Sequence, residues 1–361
     1  MNIPHRAGLE NFPSYRQGKT PADADGLKAF KLSSNENPYP PLPSVVQAVT
    51  RAVSGINLYP EIAAEELTGA LAARWAVEPE NIALGTGSVE VASQIIHAAT
   101  NPGDQVMFAW RSFEAYPLLV TAAGATPQPI PLAPDGGHDL AAMAAAVTPK
   151  TRVVFVCNPN NPTGNVLSAG AVESFIQAVP SSTLVVLDEA YLHFNRAEDT
   201  AVGIDLFRKY PNVAVLHTFS KAYGLAGLRL GYAVAAPGLV TALRKVAVPF
   251  GVTALAQEAG LASLRAEDEL QERIDTLVSE RGRVYDALLE AGLPVLPSEA
   301  NFLWLQSGDR TGTLTELFER NALSIRAFPG EGIRITIGDA EANNRILAVA
   351  RQATALLAPL P

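Results

Sequence analysis

The 361-residue chain contains a single cysteine, Cys157. Without a second thiol it forms no internal disulfide and no zinc site built on several thiolates. The apolar run 153–156 just before Cys157 marks it as a buried core thiol rather than a nucleophile. Histidine is sparse as well: His5, His97, His138, His193 and His217 show none of the i, i+4 pairing that sets two ligands on one helical face. That argues against a metal hydrolase, and no metal is expected. Positive charge is in deficit, with 27 Lys and Arg against 36 Asp and Glu and a formal net charge of −9. No basic run compensates locally, which argues against nucleic acid as a partner. Nowhere do ~18 apolar residues run unbroken, and residues 1–18 hold charges and prolines where a signal peptide carries an apolar stretch. The expectation is a cytoplasmic protein with no membrane partner.

What the chain does have is the material of a globular protein, 48% hydrophobic and 17% charged residues, and length for two units at roughly 150 residues per domain. From residue 80 onward, short apolar runs alternate with segments of helical spacing, the pattern of a wound α/β sheet. Seven strands are expected, at 82–86, 105–110, 126–132, 152–158, 183–189, 212–219 and 228–234. Most are continuously apolar, as in a parallel sheet covered on both faces. Only residues 220–227 separate the last two, too few for a parallel crossover, so the seventh strand is expected to run antiparallel. Beyond Pro249 a long helix is expected through Leu264, Leu270, Ile274, Leu277, Arg281, Tyr285 and Leu288, bridging to a second unit. There, strands at 301–305, 323–327 and 333–337 alternate with helices at 314–319 and 341–357. The division is therefore an extended, proline-rich arm (1–45), a large domain with the mostly parallel sheet (46–264) and a smaller α+β domain (265–361).

In such sheets ligands bind beyond the carboxyl ends of the strands. The first strand ends in Gly85-Thr86-Gly87-Ser88-Val89-Glu90, a small-residue turn into a helix that can aim free N–H groups at a phosphate. It lacks the third glycine of a dinucleotide fingerprint, and simple strand-to-helix punctuation would look the same. The second strand delivers Trp110-Arg111-Ser112-Phe113, an aromatic surface or core packing; the fourth delivers Asn158 and the turn to Gly164, rich in asparagine. The fifth runs Leu184-Val185-Val186-Leu187 into Asp188-Glu189-Ala190-Tyr191, placing a carboxylate where desolvation is costly unless a cation or donors meet it. The sixth brings Thr218-Phe219-Ser220-Lys221, followed by Arg229. A structural Asp188–Lys221 ion pair is one account of these residues. A pocket for a flat, phosphorylated, cationic heterocycle with a lysine in reach of its aldehyde is the other, and it uses all five strand ends.

The segments Ser34-Asn35-Glu36-Asn37-Pro38, 158–164, Asp188-Glu189-Ala190-Tyr191 and 220–229 resemble those of fold type I pyridoxal-phosphate aminotransferases, in order over nearly the whole chain. Within that superfamily the chain is similar to the histidinol-phosphate aminotransferase branch and, more closely, to its aromatic amino acid (phenylalanine) members. That second likeness lies in Trp110-Arg111-Ser112-Phe113-Glu114-Ala115-Tyr116-Pro117, supported by residues 15–20 and Val248-Pro249-Phe250. The resemblance implies pyridoxal 5′-phosphate bound covalently by Lys221, which then moves the proton at the substrate Cα. Asp188 faces the pyridine nitrogen, and Asn161 and Tyr191 bond the phenolic oxygen. Phe113 stacks on the ring where several relatives carry tyrosine, so stacking is kept and a hydroxyl contact is lost. Backbone at Ser88 and Val89, the hydroxyls of Thr218 and Ser220, and Arg229 hold the phosphate. Tyr59 matches a tyrosine that reaches the phosphate of a neighbouring subunit, implying a homodimer; packing beside Pro60 is the plainer account of it.

Period-two alternation in Gly332-Ile333-Arg334-Ile335-Thr336-Ile337 sends Arg334 and Thr336 to one face, where an exposed edge arginine is one outcome. By resemblance Arg334 grips the substrate's anionic end, with Asn35, Tyr15 and a second cation, Arg326, nearby, and Tyr15, Tyr116 and Phe250 supply aromatic surface. The expected activity is amino transfer between an aromatic amino acid and 2-oxoglutarate, with histidinol phosphate as the alternative donor. A dehydrogenase using Gly85 to Glu90 as a dinucleotide turn would leave Lys221 and the asparagine turn without a role. A non-catalytic pyridoxal-phosphate-binding or regulatory protein is a third reading, weakened because no appended DNA-binding module is seen.

Overall fold

The computed structural model describes residue 9, residues 14–19 and residues 26–357. Most of the expected arm up to residue 25, and Thr20 with it, lies outside the described residues. From Pro38 to Pro41 the chain stays irregular, and helix begins only where Pro43 takes the first helical position of Pro43–Ala52, the one place in a helix where a missing N–H costs nothing. Before it, β1 (Phe30–Lys31) is a two-residue strand.

The large sheet is built from β2 (Ile82–Gly85), β3 (Gln105–Trp110), β4 (Thr126–Pro131), β5 (Thr151–Cys157), β6 (Leu184–Asp188), β7 (Val213–Thr218) and β8 (Gly231–Val234), in the order β2-β8-β7-β6-β5-β3-β4. All its neighbours run parallel except β8, which is antiparallel to both β7 and β2. Between β7 and β8 there is only the 3₁₀ turn Ala226–Leu228, too little to carry the chain back across a face. Strand β4 sits at the edge, the position that tolerates Pro127, Pro129 and Pro131. Alternation along β5 sends Val153 and Phe155 into one buried layer and Val154 and Val156 into the other, so an unbroken apolar run serves both faces. The chain leaves β3 outward to β4 and returns to β5 on the other side of β3. That reversal opens a crevice at the carboxyl ends.

The expected bridging helix is two helices, Ala254–Arg265 and Glu267–Glu290, with Ala266 leaving helical geometry at φ −115°. Apolar spacing carries through the joint because both helices face the same buried cluster. Then come β9 (Val295–Leu296), β10 (Phe302–Leu305), β11 (Leu323–Ser324), β12 (Arg326–Phe328) and β13 (Gly332–Thr336). An antiparallel sheet has the order β12-β13-β10-β9. The single strand expected at 323–327 is thus divided. β11 pairs in parallel with β1, while β12 pairs with β13. Helices Thr311–Arg320 and Ala340–Leu357 accompany them. Among the described residues, no helix is long and apolar enough to cross a membrane, and no group of three or more His, Cys, Asp or Glu side chains could hold a metal ion.

Candidate active site

A cleft beyond the carboxyl ends of β3, β5, β6 and β7 is closed from the far side by β12, β13 and residues 15–18 and 33–36. Its first wall is the turn after β2. Gly87, at φ 87°, leads into the helix Ser88–Ala99. A Cβ on Gly231 of β8 would lie 2.2 Å from the Ser88 nitrogen and 2.6 Å from the Gly87 carbonyl carbon, so only glycine lets this turn rest on the sheet. The Arg229 guanidinium covers Gly87, donating to Ser220 Oγ and the Thr86 carbonyl, each at 3.3 Å, and to the Ala226 carbonyl at 3.0 Å. No carboxylate pairs with it among the described residues. Ser88, Val89, Thr218 and Ser220 line the same end. A helix N-terminus, hydroxyls and an arginine with only neutral partners can hold a phosphate.

At the end of β6, Asp188 is buried. Its carboxylate accepts from the Tyr116 hydroxyl at 2.6 Å and from the Ala190 N–H at 3.2 Å. Burial raises its pKa, while these two donors and the nearby Lys221 act the other way. Tyr116 is therefore a donor to Asp188 in the core and not a wall for a substrate ring. Lys221 makes no ion pair with Asp188. Its Nζ donates to the carbonyls of Ser34 and Asn35 at 3.3 and 3.2 Å, and burial, reinforced by Arg334, brings its pKa down to about 7. An amine so placed is substantially neutral, and nucleophilic, near physiological pH.

Asn35 adopts φ 53°, a left-handed conformation that asparagine tolerates better than most residues. Its side chain donates to the Tyr191 hydroxyl at 2.9 Å and accepts from Thr336 at 3.0 Å. Burial holds the Tyr191 phenol above its ordinary pKa. Of the asparagines after β5, Asn158 accepts from the Leu167 N–H and Asn160 ties Ser112, Thr163 and the Arg111 carbonyl together, so both fasten the turn. Asn161 alone lines the cleft, its Oδ1 taken by Arg334 at 2.5 Å. Phe113 lies edge-on to Tyr116 at 5.5 Å and lines the cleft.

Arg334 is buried on a central strand, so it is not an exposed edge arginine. One terminal nitrogen meets Asn161 and the other the Ser33 carbonyl at 2.9 Å, while its Nε has no partner. Burial pulls its pKa down, and no carboxylate pairs with it among the described residues. Arg326, directly opposite on β12, is instead bound to Glu114 at 2.8 and 3.1 Å. Tyr15 lines the mouth and is 55% exposed. Two residues fall elsewhere. Tyr59 is 82% exposed outside the cleft and stacks on Phe250 at 4.6 Å, and Phe250 belongs to a separate depression.

Residues 28–350 match the family model "Aminotransferase class I and II". The chain belongs to that family. It is 53% identical to an aromatic amino acid aminotransferase of Streptomyces coelicolor over 96% of each chain, and 51% identical to one of Cutibacterium acnes over 98% of this chain and 99% of that one. Among solved structures it resembles histidinol-phosphate aminotransferase from Sinorhizobium meliloti in complex with pyridoxal-5′-phosphate, with TM-score 0.84 and 30% identity over 91% of each chain.

The chain is thus an aminotransferase dependent on pyridoxal 5′-phosphate, and the dehydrogenase alternative falls. The cleft suits this cofactor on its own terms: a glycine-backed cradle for a phosphate, a buried carboxylate for a cationic ring nitrogen, an aromatic face and a largely neutral lysine. The fold brings into the cleft every residue the sequence named for these tasks except Tyr59. Ser33 and Glu114 were not among the site residues expected, and Tyr116 and Phe250 do not form the aromatic wall expected of them, because their partners lie at distant positions that nothing local marks.

Proposed function

We propose that the protein transfers the amino group between an aromatic amino acid and 2-oxoglutarate, in the cytoplasm. The observation that carries this reading is Arg334: one buried arginine with no carboxylate partner among the described residues and an unpaired Nε, in a cleft that Phe113 also lines. A guanidinium fork of this kind suits one substrate carboxylate, and Phe113, Tyr15 and the stem of Arg326 leave an apolar side for a ring. The names of the relatives at about half identity support the same substrate class.

When bound, pyridoxal 5′-phosphate supplies an aldehyde that captures amines and a ring that accepts the electron pair of the substrate Cα. The rest falls to the chain. Lys221 Nζ holds the cofactor and, once released, carries the proton at Cα, a task suited to an amine whose pKa is about 7. Asp188, whose carboxylate accepts from Tyr116 and Ala190, would face the ring nitrogen and hold a proton there. Because Arg334 occupies Asn161 Oδ1, the Asn161 amide is left to donate to the phenolic oxygen, together with Tyr191. Ser88, Val89, Thr218, Ser220 and Arg229 hold the phosphate, while Asn35 and Tyr15 flank the substrate. Residues 1–45, 46–264 and 265–361 act as arm, large domain and small domain. A second copy covers the apolar surface of Ile56, Leu58, Tyr59, Ile62, Val248 and Phe250, from which Tyr59 of the partner subunit completes the phosphate site.

Histidinol phosphate is the second reading, favoured by the 30% identical structure. The deciding experiment is kcat/KM for phenylalanine and for histidinol phosphate at constant 2-oxoglutarate. A ratio well above one is expected; a ratio well below one replaces the aromatic reading with the second.

A further inference from the structure

The small sheet places two arginines directly opposite each other, Arg326 on β12 and Arg334 on β13. Like charges in a cross-strand pair repel, and the chain relieves the two differently. Arg334 receives only neutral partners, Asn161 Oδ1 and the Ser33 carbonyl. Arg326 receives a full negative charge, because Glu114 accepts from both its Nε and a terminal nitrogen. Glu114 stands just before the helix Ala115–Ala123 and makes no capping bond to it. Its carboxylate is spent across the cleft, on a strand of the other sheet. Both residues line the cleft and both are largely covered, so the pair is screened less than a surface ion pair. A neighbouring pair, Arg111 with Glu331, spans the same gap with the charges reversed. These two pairs carry balanced charge, while Arg334, Arg16 and, at the phosphate end, Arg229 line the cleft with no carboxylate ion pair among the described residues.

We propose that Glu114 is a specificity-determining residue. By neutralising Arg326 it restricts the cleft to donors with a single carboxylate and an uncharged side chain, and it disfavours donors that carry a dianionic phosphate. This rests on the aromatic-donor reading and adds its cause. A phosphate dianion gains most when several cations surround it. Here it would have to displace Glu114 from Arg326 or lie against its carboxylate, and either route weakens binding of the wrong ligand without strengthening the right one. Glu114 is thereby a positioning residue. It acts through Arg326.

The test uses the holoenzyme and two variants, Glu114→Gln and Glu114→Ala. The donor half-reaction is followed by absorbance with no oxo acid present, and inorganic phosphate is titrated by calorimetry. In both variants the efficiency for histidinol phosphate relative to phenylalanine should rise by about 5-fold, and phosphate should bind correspondingly tighter, as expected when one partly covered ion pair is released. Adding Arg326→Ala to Glu114→Gln should cancel both gains. A merely structural role for Glu114 would lower both donors together and leave phosphate affinity where it was. That outcome, or gains that persist without Arg326, overturns the proposal. The wild-type ratio decides the aromatic reading by itself, so the two fail separately.

Discussion

Asp188 and Glu189 are consecutive carboxylates at the end of β6, and the strand's alternation sends them to opposite sides. Asp188 faces the cleft. Glu189 faces inward, accepts from the Gly203 N–H at 2.6 Å and lies 3.6 Å from His217 Nε2. The geometry alone suggests a salt bridge, but burial pushes the Glu189 carboxyl up to about 8 and the His217 imidazole down to about 3. The contact therefore joins two neutral groups at neutral pH. Because the folded-state pKa of Glu189 is raised from 4.5, its contribution to stability is complete below that value and is lost as pH rises through about 8. Glu189→Gln keeps an oxygen for Gly203 and cannot ionise. Its thermal unfolding, compared with wild type from about pH 5 to pH 9, should lack one component of the alkaline loss, worth at most about 1.4 kcal/mol per pH unit. Parallel profiles would mean that Glu189 is already ionised in the fold. At this scale the sequence was legible where chemistry is concentrated at strand ends: Asp188, Asn161, Lys221 and Arg334 all reach the cleft. It was opaque where a residue's work depends on a partner far along the chain, as for Tyr116 with Asp188 and Glu114 with Arg326, 72 and 212 positions apart.

Elements with strong internal patterns were read well. The strands of the large sheet announce themselves as apolar runs, and the short link before β8 dictates its antiparallel direction. The failures are short or interrupted elements. β9 has two residues and no period to detect. The strand expected at 323–327 serves two sheets instead, because β11 stops at Ser324 and β12 begins at Arg326, laid against Arg334. Such a division follows from what lies alongside, β1 on one side and β13 on the other. The break at Ala266 is of the same kind, an interruption in backbone geometry inside an uninterrupted apolar stripe.

At the scale of the whole molecule, Phe30 and Leu32 from the arm, Leu71 and Phe219 beside the large sheet, and Leu305 and Ile333 from the small sheet share one buried cluster. The cleft is therefore held between parts that support one another, and Ser33, Ser34 and Asn35 are positioned by that packing. Outside it, the surface around Tyr59 is too apolar to be left to water, and a second copy is its proposed cover. Sedimentation should give a dimer. Mixing Lys221→Ala with Tyr59→Ala protein should restore activity that neither has alone, since one site of each hybrid then holds both residues; a fully active monomer at high dilution would contradict shared sites. The central claim is that this cleft binds pyridoxal 5′-phosphate through Lys221. Borohydride reduction of the holoenzyme followed by peptide mass mapping tests it most directly. The account predicts a pyridoxyl group on the peptide containing Lys221 and on no other lysine; a modified lysine elsewhere, with the Lys221 peptide untouched, would contradict it.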